Sequence, residues 1–199
     1  MKKIFLIACI SFISISSLKA QEQVSSSTAS VEESIFGVQA GVLGVWVNNE
    51  MRLTNSIALR TELGLDAALF GGSIYFEDSR TNYAFAPVIT AEPRWYYNLN
   101  NRQKKGRKIF KNNGNFVGLE FSYNPNLFVI SNVDNIEVFN QIRIIPKWAI
   151  RRTIGKHFTY EVGAGLGYRY AFFDENDYLF PPDKGEVILD LHIQLGYTF

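Results

Sequence analysis

An all-β antiparallel fold follows from three observations, and the make-up of the strand faces then turns it into an up-and-down barrel. Apolar and polar residues alternate with period two through most of the chain, the breaks fall at Asn, Gly, Asp and Pro clusters, and no amphipathic helix of appreciable length interrupts them. A length of 199 residues fits one domain. With 20 Lys+Arg against 19 Asp+Glu the chain lacks the basic excess of a nucleic-acid binder, and an aromatic content of 15% excludes a disordered chain.

The amino-terminal twenty residues read as an export signal. Met1-Lys2-Lys3 is basic, Ile4 to Leu18 is uncharged and apolar apart from its serines, and Ala20 precedes a polar stretch. Cleavage near Ala20 removes Lys2, Lys3 and Lys19 with no acid, turning a net charge of +1 into −2. It also removes Cys9, the one cysteine. Leu6-Ile7-Ala8-Cys9 resembles a lipoprotein box, but the apolar run before Cys9 is too short for a signal core. Residues 21–34 are polar and read as a flexible lead-in or a weak first strand.

The barrel is expected over 35–199. Its elements are Ile35 to Asn48 (bulged near Gly41 or Gly44), Ile57 to Leu69, Tyr83 to Leu99, Phe116 to Asn126, Gln141 to Ile154, His157 to Phe172 and Glu186 to Phe199. The last is the clearest: Val187, Leu189, Leu191, Ile193, Leu195, Tyr197 and Phe199 share one face, opposite Glu186, Asp190, His192, Gln194, Gly196 and Thr198. A closed up-and-down antiparallel barrel needs an even number of strands, so seven leave one to find and eight are expected. The eighth comes from the lead-in or from a strand merged with its neighbour.

Alternation suits either a soluble sandwich or lipocalin-like barrel with its apolar face inside or a membrane barrel with that face outside. The composition of the faces favours the second. The polar faces carry Arg60, Arg94, Arg143, Lys147, Arg151 and Arg169 against Glu62, Asp66, Glu92, Glu120, Glu161, Glu186 and Asp190, the near-neutral balance a sealed lumen needs. Gly163, Gly165 and Gly167 are read as room for the long side chains opposite. Trp95, Tyr97, Tyr168, Tyr170 and Tyr197 lie toward strand ends on the apolar faces, where a bilayer interface favours them. The strands also approach the ~9–11 residues of a tilted crossing. The fold expected is therefore a transmembrane barrel.

The tail Gln194-Leu195-Gly196-Tyr197-Thr198-Phe199 looks like the C-terminal signal of bacterial outer-membrane proteins, carried by Gln194, Gly196, Tyr197 and Phe199. With the export signal and the alternating hairpins, the chain resembles the small outer-membrane β-barrel proteins of Gram-negative bacteria, the OmpX/OmpW-like and porin-family groups. The resemblance implies an outer-membrane location, contact with its lipid, and recognition of the tail by the barrel-assembly machinery. It implies no reaction. It places the C-terminus in the periplasm, with Phe173 to Lys184, Ser131 to Glu137 and Glu77 to Asn82 outside, and Gly155-Lys156, Asn98 to Gly114 and Leu53 to Ser56 periplasmic.

Asn98 to Gly114 contains Arg102, Lys104, Lys105, Arg107, Lys108 and Lys111 and no acid. It is either a site for anionic lipid or a solvated basic turn. Catalytic chemistry has few carriers: His192 near Asp190 could act as a base, but it reads better as a lumen histidine alongside the charges. No metal set, phosphate loop or cofactor motif is present. The expected function is a non-enzymatic, monomeric outer-membrane barrel with a plugged lumen, serving envelope structure, adhesion or limited solute passage. A lipid-acting barrel enzyme and a soluble periplasmic binding barrel are the competing readings.

Overall fold

The structure, a computed structural model, describes residues 28–70, 82–133, 136, 138–177 and 183–199. The export segment and most of the lead-in lie outside the described residues. The strands are β1 (Ser34–Gly41), β2 (Gly44–Arg52), β3 (Ile57–Phe70), β4 (Asn82–Trp95), β5 (Asn115–Asn124), the two-residue β6 (Ile130–Ser131), β7 (Asn140–Ile154), β8 (Phe158–Phe172) and β9 (Gly185–Thr198).

Eight of them form a closed antiparallel barrel. Each long strand pairs with the next in the chain, and β9 returns to β1 through Val38–Tyr197 and Ala40–Leu195. Closure leaves no edge among the eight long strands to be covered, and short β6 adds only two pairs to β4, Ala84–Ser131 and Phe85–Ile130.

The eighth strand comes from splitting the stretch read as one strand over Ile35 to Asn48. What looked like a bulge is a two-residue hairpin turn, Val42-Leu43, between Gly41 and Gly44. Gly44 sits at φ 145°, and a Cβ there would lie 2.1 Å from the Leu65 carbonyl oxygen, so only glycine fits. Residues 28–33 add no strand; Ala29 and Val31 are buried instead. The strand read as Tyr83 to Leu99 ends at Trp95, and Leu99 begins a short helix, α1 (Leu99–Lys104).

The barrel has two unlike ends. The terminal end gathers both ends of the described chain, the β2–β3 and β7–β8 turns and the long β4–β5 connection with α1. The far end carries the β1–β2, β3–β4, β5–β7 and β8–β9 connections. At the terminal end a small apolar cluster of Ala29, Val31, Ala58, Tyr96, Leu99, Phe116 and Ala149 closes the interior.

Elsewhere the usual order of burial is reversed. Leu189 and Leu195 are 67% and 66% exposed, whereas Glu50, Arg60, Arg94, Arg151 and Glu161 are fully buried. The alternation therefore turns apolar side chains outward and ionic ones inward. Gly163, Gly165 and Gly167 do not make room for long charged chains: a Cβ at each would strike Ala149, Ile145 or the backbone of β7. They let β7 and β8 approach. The glycine that clears space for a carboxylate is Gly118, where a Cβ would fall 2.2 Å from Glu92 Oε1.

Candidate functional site

The lumen near the terminal end is built around two carboxylates held among three guanidiniums. Glu161, from β8, accepts from Arg60 Nη1 at 3.1 Å and Arg94 Nη1 at 3.1 Å, with Arg151 Nη1 3.3 Å away. Glu50, from β2, accepts from Arg151 Nη1 at 2.8 Å, and Arg94 Nη1 lies at 3.5 Å. Tyr96 Oη donates to Glu50 across 2.9 Å, and the Asn112 amide donates to the same oxygen. Arg94 Nη2 reaches Glu92 at 2.8 Å, while its guanidinium lies 4.3 Å from the centre of the Phe116 ring. Arg60 also pairs with Glu62 and with Gln39.

These pairs answer a physical requirement. Each ion removed from water carries a penalty of several kcal/mol, offset only when its partners and hydrogen bonds are complete. Four carboxylates (Glu50, Glu62, Glu92, Glu161) face three arginines. The His192 ring lies with Nε2 2.8 Å from Glu161 Oε2, and the Lys147 ammonium adds its charge near Glu92.

A second layer lies toward the far end. Lys147 bridges Glu120 and Asp190, its Nζ 2.8 Å from Asp190. Arg143 pairs with Asp66, which also accepts from Trp46 Nε1 at 3.0 Å. Glu120 accepts from Ser122, whose hydroxyl is 3.1 Å from that of Thr90. Trp46, Thr90, Glu120, Arg143, Lys147 and His192 are among the residues lining a polar cavity of about 100 Å³, well under the roughly 300–1,000 Å³ of ordinary ligand sites. Beyond it Arg169 and Glu186 pair at 2.7 Å, both about half exposed.

The expected lumen set of Arg60, Glu62, Asp66, Glu92, Arg94, Glu120, Arg143, Lys147, Arg151, Glu161, Asp190 and His192 is thus brought together in two layers, with Arg169 outside them. Sequence reasoning missed Glu50, Gln39, Trp46, Tyr96 and Asn112. Glu50 was legible from Gly41 and Gly44 as turn residues: β2 then runs to Arg52, with Trp46, Asn48 and Glu50 on one face. The tail residues take structural places: Gly196 and Gln194 pair with β1 and β8, Tyr197 packs 5.4 Å from Phe158, and Phe199 packs 5.6 Å from Phe36.

The basic connection between β4 and β5 is divided in role. Lys111 turns inward and donates to the Thr198 carbonyl at 3.0 Å, and its backbone N–H donates to Glu32. Asn112 reaches Glu50, and its side-chain oxygen accepts from the Glu32 N–H at 2.8 Å. The connection and residues 28–33 therefore stopper the terminal end together. Burial, and then the Arg151 charge, hold the Lys111 ammonium below its ordinary pKa, while Glu32 opposes both. Lys104, Lys105, Arg107 and Lys108 remain exposed.

Among the described residues His192 has Glu161 as its hydrogen-bond partner, and no group of three or more His, Cys, Asp or Glu is placed to hold a metal. What the arrangement does chemically is neutralise and fill the lumen. No family model, curated protein or solved structure matches the chain.

Proposed function

We propose that the protein is a non-enzymatic, integral β-barrel of a Gram-negative outer membrane, with its exposed apolar belt against acyl chains and its lumen plugged by paired charges. The observation that carries this reading is the reversal of burial: fully enclosed arginines and glutamates inside a wall whose outer side chains are leucine, valine, isoleucine and aromatic. In water such a wall would be an apolar patch far larger than a monomer ordinarily exposes. In lipid it is the expected surface.

The aromatic placement agrees in scale. On β8, Tyr160 and Tyr168 face outward eight residues apart, and Phe158 and Tyr170 bracket them. For strands tilted by about 40° these pairs span roughly 20–30 Å along the axis, around the ~25 Å apolar band of membrane barrels. The export signal read in residues 1–20 supports the same location. With the terminal end periplasmic, the far-end connections face the exterior.

General diffusion of hydrophilic solutes does not fit a lumen filled in two layers and stoppered at one end. Envelope structure, adhesion through the far end, or slow passage of a small solute does. The protein is read as a monomer whose partners are outer-membrane lipid and, during biogenesis, the barrel-assembly machinery; no nucleic acid is involved. Cell fractionation with a heat-modifiability gel tests this. The barrel should be in the detergent-extracted outer-membrane fraction and migrate faster unboiled than boiled. Recovery in the periplasmic fraction without detergent, with no heat shift, would overturn it.

A further inference from the structure

Just beyond the terminal-end aromatics, two guanidiniums are fixed around three consecutive residues. Arg102 donates to the Lys108 carbonyl at 2.9 Å and to Asn113 Oδ1 at 2.7 Å. Arg152 donates to the Gly114 carbonyl at 2.8 Å and to Asn115 Oδ1 at 2.7 Å. Arg107, tied by its backbone N–H to the Arg102 carbonyl at 2.9 Å, adds a third, exposed guanidinium. Burial first, and then the charges of Arg152 and Arg107, hold the Arg102 guanidinium below its ordinary pKa. Among the described residues no carboxylate lies within ion-pair distance of any of the three.

Among the described residues this differs from the other cation clusters. In the lumen each arginine is matched by a carboxylate. Here three positive charges converge unmatched, two of them held in place by carbonyl oxygens rather than free to swing into solvent. Like charges so gathered raise the local potential. Arg102 spends Nε and Nη2, and Arg152 spends Nη1 and Nη2, on protein oxygens, so the fork that faces a phosphate is that of the exposed Arg107, with the other two charges fixed behind it.

Their position says which phosphate. Arg152 is on the outer face of β7, in register with Tyr160 and one outward position past Ile150. Close by, Tyr97 accepts from Trp148 Nε1 at 2.9 Å and from Asn115 Nδ2 at 3.3 Å. Trp95 and Trp148, each about half exposed, belong to the same rim. Aromatic residues of this kind lie at headgroup level in a bilayer.

We propose that Arg102, Arg107 and Arg152 form a site for the phosphate of an anionic glycerophospholipid in the leaflet at the terminal end, with Lys104, Lys105 and Lys108 adding attraction around it. The inference rests on the bilayer reading above and deepens it. The site binds a headgroup and leaves the lumen untouched.

The test uses the full mature chain folded into vesicles of phosphatidylcholine mixed with phosphatidylglycerol. Either lipid is supplied in acyl-brominated form, so that lipid beside Trp95 and Trp148 quenches their fluorescence. The wild type should prefer phosphatidylglycerol at the rim by about five-fold, the scale of one cation near an anionic surface. Arg107→Glu should bring the preference to parity, whereas Lys104→Glu, an equal change of charge, should leave most of it. Equal preference in the wild type, or equal losses in the two variants, would overturn the site. Loss of the preference on replacing chloride by inorganic phosphate at constant ionic strength would assign the site to free phosphate and overturn the headgroup. Absence of the heat-shifted band and of quenching by either lipid would instead defeat the bilayer reading itself.

Discussion

Arg151 on β7 donates from Nη1 to Glu50 on β2 across 2.8 Å, joining two strands that share no backbone hydrogen bond through the centre of the barrel. Neither side chain reaches water. The pair is therefore a cross-tie whose halves are each costly alone. Glu50→Ala should destabilise the folded barrel by about 3–5 kcal/mol, since it leaves a buried guanidinium short of a counter-charge. Arg151→Met should do the same from the other side. The double variant should lose clearly less than the sum, read from urea unfolding midpoints in detergent micelles. Additive losses would mean the two residues are not coupled.

The turn that makes the eighth strand provides a sharper backbone test. Gly44 has φ 145° with the Leu65 carbonyl oxygen 2.1 Å from where a Cβ would sit; Gly155, in the β7–β8 turn, has φ 64° with nothing within 4 Å. Gly155→Ala should cost about 1–2 kcal/mol, the ordinary penalty of a left-handed alanine. Gly44→Ala must also displace a neighbouring strand and should cost at least about 3 kcal/mol. The same unfolding measurement ranks them, and the reverse order would place the turn elsewhere.

Lys111 and Asn112 hook the terminal stopper to the barrel, one on Thr198 and the other on Glu50. Replacing both by alanine removes the hooks while leaving the wall intact. Stability should fall by about 1–3 kcal/mol as Glu50 loses a donor. More tellingly, a planar bilayer that shows no steady conductance with the wild type should show one with the double variant. An unchanged, silent bilayer would mean that the charge layers alone block the lumen.

These tests also show which features were legible in the sequence. The walls of β7, β8 and β9 were, because each carries a long unbroken alternation. The Val42-Leu43 turn is marked only by its flanking Gly41 and Gly44: both of its residues are apolar and exposed, and no Asn, Asp or Pro punctuates them, so reading the glycines as a bulge merged β1 and β2 into one strand and left Glu50 beyond its end. Lys111 was hidden for a different reason. Within a run of six cations its charge matches its neighbours', and only the path of the β4–β5 connection turns it inward. Arg151 and Arg152 make the same point at closer range: adjacent and chemically identical, they face opposite sides of the wall. One becomes part of a buried network and the other part of an outer rim.

The orientation of the wall makes the most discriminating prediction. Leu191 and Leu195 both point outward from β9 and are exposed to similar degrees, 58% and 66%. Register sets their depth: Leu191 pairs with Ala164, midway between the aromatic residues of β8, whereas Leu195 pairs with Tyr160 at the terminal-end edge. On a water-facing surface an arginine at either site would be nearly neutral. Against hydrocarbon the cost depends on depth, about 2–4 kcal/mol at the midplane and about 0–1 near the interface. Leu191→Arg should therefore destabilise the barrel in phosphatidylcholine vesicles well beyond Leu195→Arg, with both proteins still closing into the heat-shifted form in detergent. Equal and small effects would mean that no acyl chains lie against this face, and the membrane reading would fall with them.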